Sequence, residues 1–282
     1  MPTTKKDRTT ARARKPESSM GSGRDLEQFM MLSEHHFTFA EMVRLQKEQL
    51  VRLKLPPWLF ALTYQRRDQA TLTDTQRQRF LCALDVLIAN GTYGQLVDVH
   101  AGMYMQHTND RLLPWHRIFL LQFEQALRAI HPDVSLPYWD WTQPSEESIP
   151  AWLAGVLPTV VTPTRTLHVT RSPGTTADIA LIASNVPTIL GYGSWGPFSS
   201  SINGVHGSVH VWVGGLMSDP ATAAADPIFW MHHCNLDRLW WQWHLAHPTI
   251  NPPLSGASAV MNPWSSTEAD TRDIHTLGYS YV

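Results

Sequence analysis

The stretch 111–128, RLLPWHRIFLLQFEQALR, decides how the rest of the chain is read. Phe119, Leu120, Phe123 and Leu127 recur in it at helical spacing, which predicts a helix with a broad apolar face. Pro114 and Trp115 place the start of that helix, because proline is tolerated in a first turn, where its missing N–H has no intrahelical partner to lose. His116 then points along the buried face. A buried imidazole must be hydrogen-bonded or bound to a metal.

The neighbouring histidines make the metal worth pursuing. His100, His107 and His116 lie close together in sequence, and His206 and His210 are four apart in VHGSVHVW. Positions i and i+4 share one helix face, so His206 and His210 can grip one ion. The segment lacks the glutamate of an HExxH zinc protease. His232 and His233 are adjacent on a later helix, about 100° apart around the axis, so one of them is expected to face the same place. Phe229 shares a face with His233, which favours His233 as the ligand and His232 as its neighbour. Two triads of imidazoles suit Cu, Zn, Fe or Ni, whereas hard cations want oxygen. Few carboxylates stand near these histidines, which counts against a carboxylate-bridged di-iron site. Met103 and Met105 lie just before His107 and read as packing residues. His35, His36, His131, His168, His244, His247 and His275 read as non-ligands.

Around these motifs the sequence predicts a mainly α protein. A helix is expected over 74–90, capped by Thr73 and ended by Asn90-Gly91. Further helices are expected over 92–102, 203–213 and 227–246. Residues 142–203 are rich in Pro, Gly, Ser and Thr and read as long loops with short β-prone pieces such as TLHVTR. Residues 1–24 carry seven Lys/Arg against two acids and read as a basic disordered tail. Residues 25–60 read as a helical N-terminal extension that KLPPW stops, and 61–282 as the catalytic domain.

Composition narrows the function classes. The net charge of −2 gives no sign of general nucleic-acid binding. No apolar run is long enough to span a membrane. The N-terminus has no apolar core of a secretory signal, so the expected location is cytoplasmic, or exported without a signal peptide of its own. The two cysteines, Cys82 and Cys234, make no disulfide framework.

Four segments taken in order, LPWHRIFLLQFEQALR, LPYWDW, VHGSVHVWVGG and DPIFWMHHCNLDRLWW, resemble the tyrosinase and catechol oxidase family of binuclear copper proteins, in particular its short bacterial members. The resemblance runs over roughly 65–282. It implies a central four-helix bundle holding two copper ions, with long irregular loops and a few short strands. His100, His107 and His116 would hold the first ion, and His206, His210 and His233 the second. Phe229 would pack against the second site, Asp226 would fix the start of the last ligand helix, and Asp237 would brace it. Tyr279-x-Tyr281 resembles the motif that closes the catalytic domain. The family uses O₂ to oxidise o-diphenols to o-quinones, and some members first hydroxylate monophenols. The implied partner is a small phenol, and some bacterial relatives receive copper from a delivery protein. Oxidation of o-aminophenols, reversible O₂ binding as in haemocyanins, and zinc hydrolysis stand as alternatives. Efficient hydroxylation in the family goes with Asn or Asp just after the first ligand of the second site, together with an upstream Glu. Here that position is Gly207, no carboxylate lies between Asp178 and His206, and Asn203 stands one turn before His206.

Overall fold

The computed structural model of the chain describes residues 64–102 and 106–282. The expected basic tail, the N-terminal helical extension, His35, His36, Met103 and Met105 lie outside the described residues.

The chain enters as a three-residue strand, β1 (Tyr64–Arg66), and reaches α1 (Asp74–Ala89). Thr73 and Gln76 form a reciprocal capping box that satisfies two otherwise unpaired N–H groups. The helix stops at Asn90, and Gly91 follows at a φ of 81°, a conformation that costs a residue without Cβ little. Helix α2 (Thr92–Gly102) and helix α3 (Leu112–Ile130) carry the first group of histidines. Helix α3 begins two residues before Pro114, which sits in the first turn as proline can. It is buried nearly all round, including Arg117, Gln122 and Glu124, so the apolar stripe read from sequence understated its burial.

The segment 142–203 departs most from the sequence reading. Its β-prone piece is real: β2 (Thr159–Val161) and β3 (Thr166–His168), which follow the short helix α4 (Ala151–Ala154), pair antiparallel with Val160 opposite Leu167. The remainder is largely helical: α5 (Thr176–Ala183), α6 (Val186–Leu190) and the first half of α7 (Trp195–Val213). Thr175 and Asp178 cap α5 with a box that uses Asp in place of Glu. Pro187 and Pro197 lie in first turns, where they start helices rather than break them. Helix α7 therefore begins eight residues earlier than its histidine pair suggested.

Asp226 caps α8 (Pro227–Ala246), accepting from the Ile228 N–H at 3.0 Å, and Pro227 opens the helix. Helices α8 and α1 both pack against α3. The chain closes with β4 (Tyr279–Tyr281), which pairs parallel with β1, Tyr64 opposite Tyr279. A buried ionic knot stands behind that pairing. Asp237 on α8 takes Arg117 of α3, Arg66 of β1 at 3.3 Å, the Tyr279 hydroxyl at 2.7 Å and the Tyr281 hydroxyl. Glu124 takes Arg66 and Arg128, each at 2.9 Å, and Arg66 lies over the Tyr279 ring. No single helix among the described residues is long and apolar enough to cross a membrane.

One carboxyl away from this knot behaves differently. Glu146 is buried, accepts from the Gln69 side-chain amide and lies near Asp68 and Asp140. Burial pushes it up to about 7, the Gln69 hydrogen bond pulling the other way and Asp68 adding to the rise. The folded state therefore holds a proton that the unfolded chain releases, so this group's contribution is fully present below the ordinary carboxylate pKa and is lost as pH rises through about 7. We expect Glu146→Gln to raise Tm relative to wild type by a few degrees at pH 8 and to lose that advantage near pH 4.5. Thermal melts across that range check it; a pH-independent difference would rule the proton out.

Candidate metal centre

Two clusters of buried histidines face each other between the four long ligand-bearing segments. His100 comes from the last turn of α2, His107 from the following turn and His116 from the second turn of α3. Their Nε2 atoms converge: His100 to His107 is 3.1 Å and His100 to His116 is 3.3 Å. His206 and His210 lie one turn apart on α7, and His233 is on α8. His206 Nε2 is 3.2 Å and His210 Nε2 is 3.0 Å from His233 Nε2. The clusters touch, His116 stacking on His233 at 4.3 Å.

This donor set fits two metal ions. Three nitrogens bound at ~2.0–2.1 Å to one tetrahedral ion would lie about 3.3 Å apart, close to the spacing found. The tautomers agree where backbone carbonyls set them. His116 Nδ1 donates to the Leu112 carbonyl at 2.8 Å and His210 Nδ1 to the Met217 carbonyl at 2.8 Å. A neutral ring with its proton on Nδ1 turns the Nε2 lone pair inward, which is how second partners orient metal-binding histidines. His206 Nδ1 reaches Asn203 Oδ1 at 3.4 Å. Burial, reinforced by the neighbouring imidazoles, holds His100, His116, His206 and His233 well below the ordinary imidazole value and takes His210 down to about 4. The rings are thus neutral and ready to ligate at pH 7.

These features combine with the order of the motifs to decide the family. The chain matches the common central domain of tyrosinase over residues 90–173 and 175–246. It belongs to the tyrosinase family. It is 31% identical to a tyrosinase of Streptomyces glaucescens over 270 residues, 77% of this chain and 98% of that one. A second tyrosinase, from Streptomyces antibioticus, is 28% identical over 77% of this chain and 98% of its own. In fold it is similar to a functional unit of octopus hemocyanin, with a TM-score of 0.67 and 24% identity over 78% of this chain and 68% of that one. The tyrosinase of Burkholderia thailandensis gives a TM-score of 0.64 at 18% identity, covering 78% of this chain and 74% of that one. The chain is a tyrosinase-type copper oxidoreductase acting on phenols, in a family that works with two copper ions and O₂. The hemocyanin likeness is one of fold, and O₂ carriage and o-aminophenol oxidation are not favoured.

Within this tyrosinase fold the remaining residues singled out from sequence fall as follows. Phe229 is fully buried and packs on His233 at 4.1 Å; it also meets His100 at 4.7 Å, so it lies against both clusters rather than the second alone. Asp226 is the cap of α8. Asp237 braces α8 through the ionic knot, and its neighbour Arg238 pairs with Asp140 at 3.1 Å. Gly207 lies on α7 with nothing within 4 Å of where a Cβ would stand. His232 corrects the expectation that one of the adjacent pair would face the cluster. Both do: its ring lies against His206 at 5.5 Å and His210 at 5.0 Å, and it belongs to the second group of convergent side chains. The reason is that α7 presents two rings, at His206 and His210, which span the 100° between neighbours on α8.

Several supporting residues escaped the sequence reading. Arg171 clamps Asp226 through two bonds of 2.7 and 2.6 Å and so holds the start of α8. Phe119 stacks on His100, with ring centroids 5.7 Å apart. Trp195 donates to Asp110 at 2.7 Å, tying the His107 turn to α7. Trp141 donates to His232. Phe119 lay in the quoted apolar stripe and Trp141 in LPYWDW, but neither motif says what the ring touches.

Proposed function

We propose that residues 61–282 form an o-diphenol oxidase whose first copper is held by His100, His107 and His116 and whose second is held by His206, His210 and His233. The observation that carries this reading is the pair of imidazole trios in which one Nε2, of His100 or of His233, lies 3.0–3.3 Å from the other two. When bound, the copper pair supplies the exchange of electrons between the phenol and O₂. The protein supplies the rest. Three imidazoles per ion leave each an open position, which distinguishes a catalytic from a closed structural site. Phe229, Phe119 and Trp115 are buried against the histidine rings and exclude water from that side of the centre. Asn203 fixes the His206 ring, and Asp226 and Asp237 fix the helix that carries His233.

Gly207 supports diphenol oxidation as the dominant activity. A phenol has a pKa near 10, so loss of its proton at pH 7 calls for a placed base or an ordered water. The two histidine groups contain no carboxylate, and Gly207 offers no side chain. We expect oxygen uptake with a catechol to exceed that with the matching 4-alkylphenol by at least about 100-fold. Equal uptake with both would overturn this reading. A Cβ added at Gly207 meets nothing within 4 Å, so a side chain can start there without a clash. We expect Gly207→Asn to raise the monophenol-to-catechol rate ratio by about tenfold, measured as initial oxygen uptake; an unchanged ratio would mean that the side chain at this position does not set the preference.

A further inference from the structure

The LPYWDW segment runs past the second histidine cluster without supplying a ligand to either trio. Its Trp141 is fully buried, and the indole Nε1–H donates to His232 Nδ1 at 3.1 Å. An indole nitrogen only donates. His232 Nδ1 is therefore the acceptor, and the neutral ring carries its proton on Nε2. That Nε2 is buried, with no partner at close hydrogen-bond distance and the His206 backbone carbonyl as the nearby acceptor. The ring itself stands among the second trio: parallel to His206 at 5.5 Å, and edge-on to His210 at 5.0 Å and His233 at 5.2 Å. One nitrogen from each of His206, His210, His232 and His233 lies within 4.8 Å of the others.

Four imidazoles are one too many for an oxidase. A divalent ion with four nitrogen ligands is closed, as in structural zinc sites, whereas catalysis needs an open position. The extra ring is close enough to matter, since one of its nitrogens lies within 4.8 Å of the converging nitrogens of the trio. We propose that Trp141 is a specificity-determining residue that keeps His232 from becoming a fourth ligand of the second ion. The indole occupies the Nδ1 lone pair and thereby leaves the proton on Nε2, so the ring offers no lone pair to a metal. The segment is pinned to the helix that carries His232: Asp140 accepts from Asn235 at 3.4 Å and pairs with Arg238 at 3.1 Å. Without the indole donor, the proton can move to Nδ1 and the Nε2 lone pair can close the site.

This inference rests on the ligand assignment proposed above, and the experiment separates the two. Zn²⁺ affinity at the second site is measured by chelator competition, with Zn²⁺ as the probe, for wild type, Trp141→Phe and the double variant Trp141→Phe/His232→Phe. We expect Trp141→Phe to bind the second Zn²⁺ at least about tenfold more tightly than wild type while catechol oxidation by the copper form falls. The double variant should return the affinity to the wild-type value. A residue that merely props up the fold would weaken binding when removed. Unchanged or weaker binding in Trp141→Phe, or tight binding that persists in the double variant, would overturn the proposal. If Trp141→Phe does not fold, the wild-type protein still decides. Long-range ¹H–¹⁵N spectra of the Zn²⁺-loaded chain should show His232 protonated on Nε2, and a His232 protonated on Nδ1 or bound to metal would overturn it. His210→Ala measured alongside tests the ligand set: retention of the second Zn²⁺ there removes the assignment and this inference with it. Loss of that ion with no gain in Trp141→Phe removes this inference alone.

Discussion

His210→Ala is expected to leave the chain with one bound copper where wild type binds two, and to lower catechol oxidation by about three orders of magnitude or more. The imidazole it removes is one of three converging nitrogens, 3.0 Å from His233 Nε2, with its own Nδ1 fixed by the Met217 carbonyl. Two imidazoles are a poor site for an ion that also needs an open position. The metal-free protein should tolerate the change. The substitution removes one of several crowded neutral rings and loses one hydrogen bond to a carbonyl, worth about 1 kcal/mol. Metal analysis, oxygen uptake and a thermal melt of the metal-free variant therefore give a distinctive triplet: one ion lost, activity lost, fold retained. His168→Ala is the matched control. His168 is exposed on β3, bonded to Thr159 at 2.9 Å, and its loss should change neither metal content nor rate.

Asp237→Ala is expected to have the largest effect on stability, about 3–5 kcal/mol, or roughly 10 °C in Tm for a domain of this size. Asp237 is buried at the meeting of β1, α3, α8 and β4, and its carboxylate answers two guanidinium groups and two phenols. Burial alone would raise its pKa, but Arg117 and Arg66 outweigh that and hold it below the usual carboxylate range. Its contribution is therefore present above the unfolded carboxylate pKa and is lost as pH falls through the lower folded value. Removal leaves Arg117 buried without a carboxylate, the costly half of a broken buried pair. Thermal melts of the metal-free variant at pH 7 measure the loss. A change of less than about 1 kcal/mol would mean that the knot is energetically neutral, as a buried pair balanced against its desolvation can be.

The helices that carry the site were legible because their signals are local. The proline of LPWH places the start of α3, Pro227 opens α8, and the spacing of His206 and His210 places both on one face of α7. The misreadings arose where local signals point the wrong way. Gly196, Pro197 and the serines that follow look like loop, yet they form the first turns of α7, because Phe198 and Ile202 on its buried face repay the weak propensity with packing. The β1–β4 pairing joins positions near the two ends of the described chain through strands of three residues. Nothing at Arg66 signals that its guanidinium will lie 3.6 Å from the Tyr279 ring centroid. Long-range partners are also what the site reading lacked. Arg171 and Asp226 are far apart in sequence, as are Trp141 and His232, and each pair is visible only once α8 is in place.

The most direct test of the account is an anaerobic Cu(I) titration of the metal-free chain, followed at each point by oxygen uptake with a catechol. The paired imidazole trios predict an end point of two tightly bound ions per chain, with catechol-dependent uptake appearing as the second ion is bound. An end point of one ion, or full uptake at a single equivalent, would contradict a binuclear centre held by His100, His107 and His116 on one side and His206, His210 and His233 on the other.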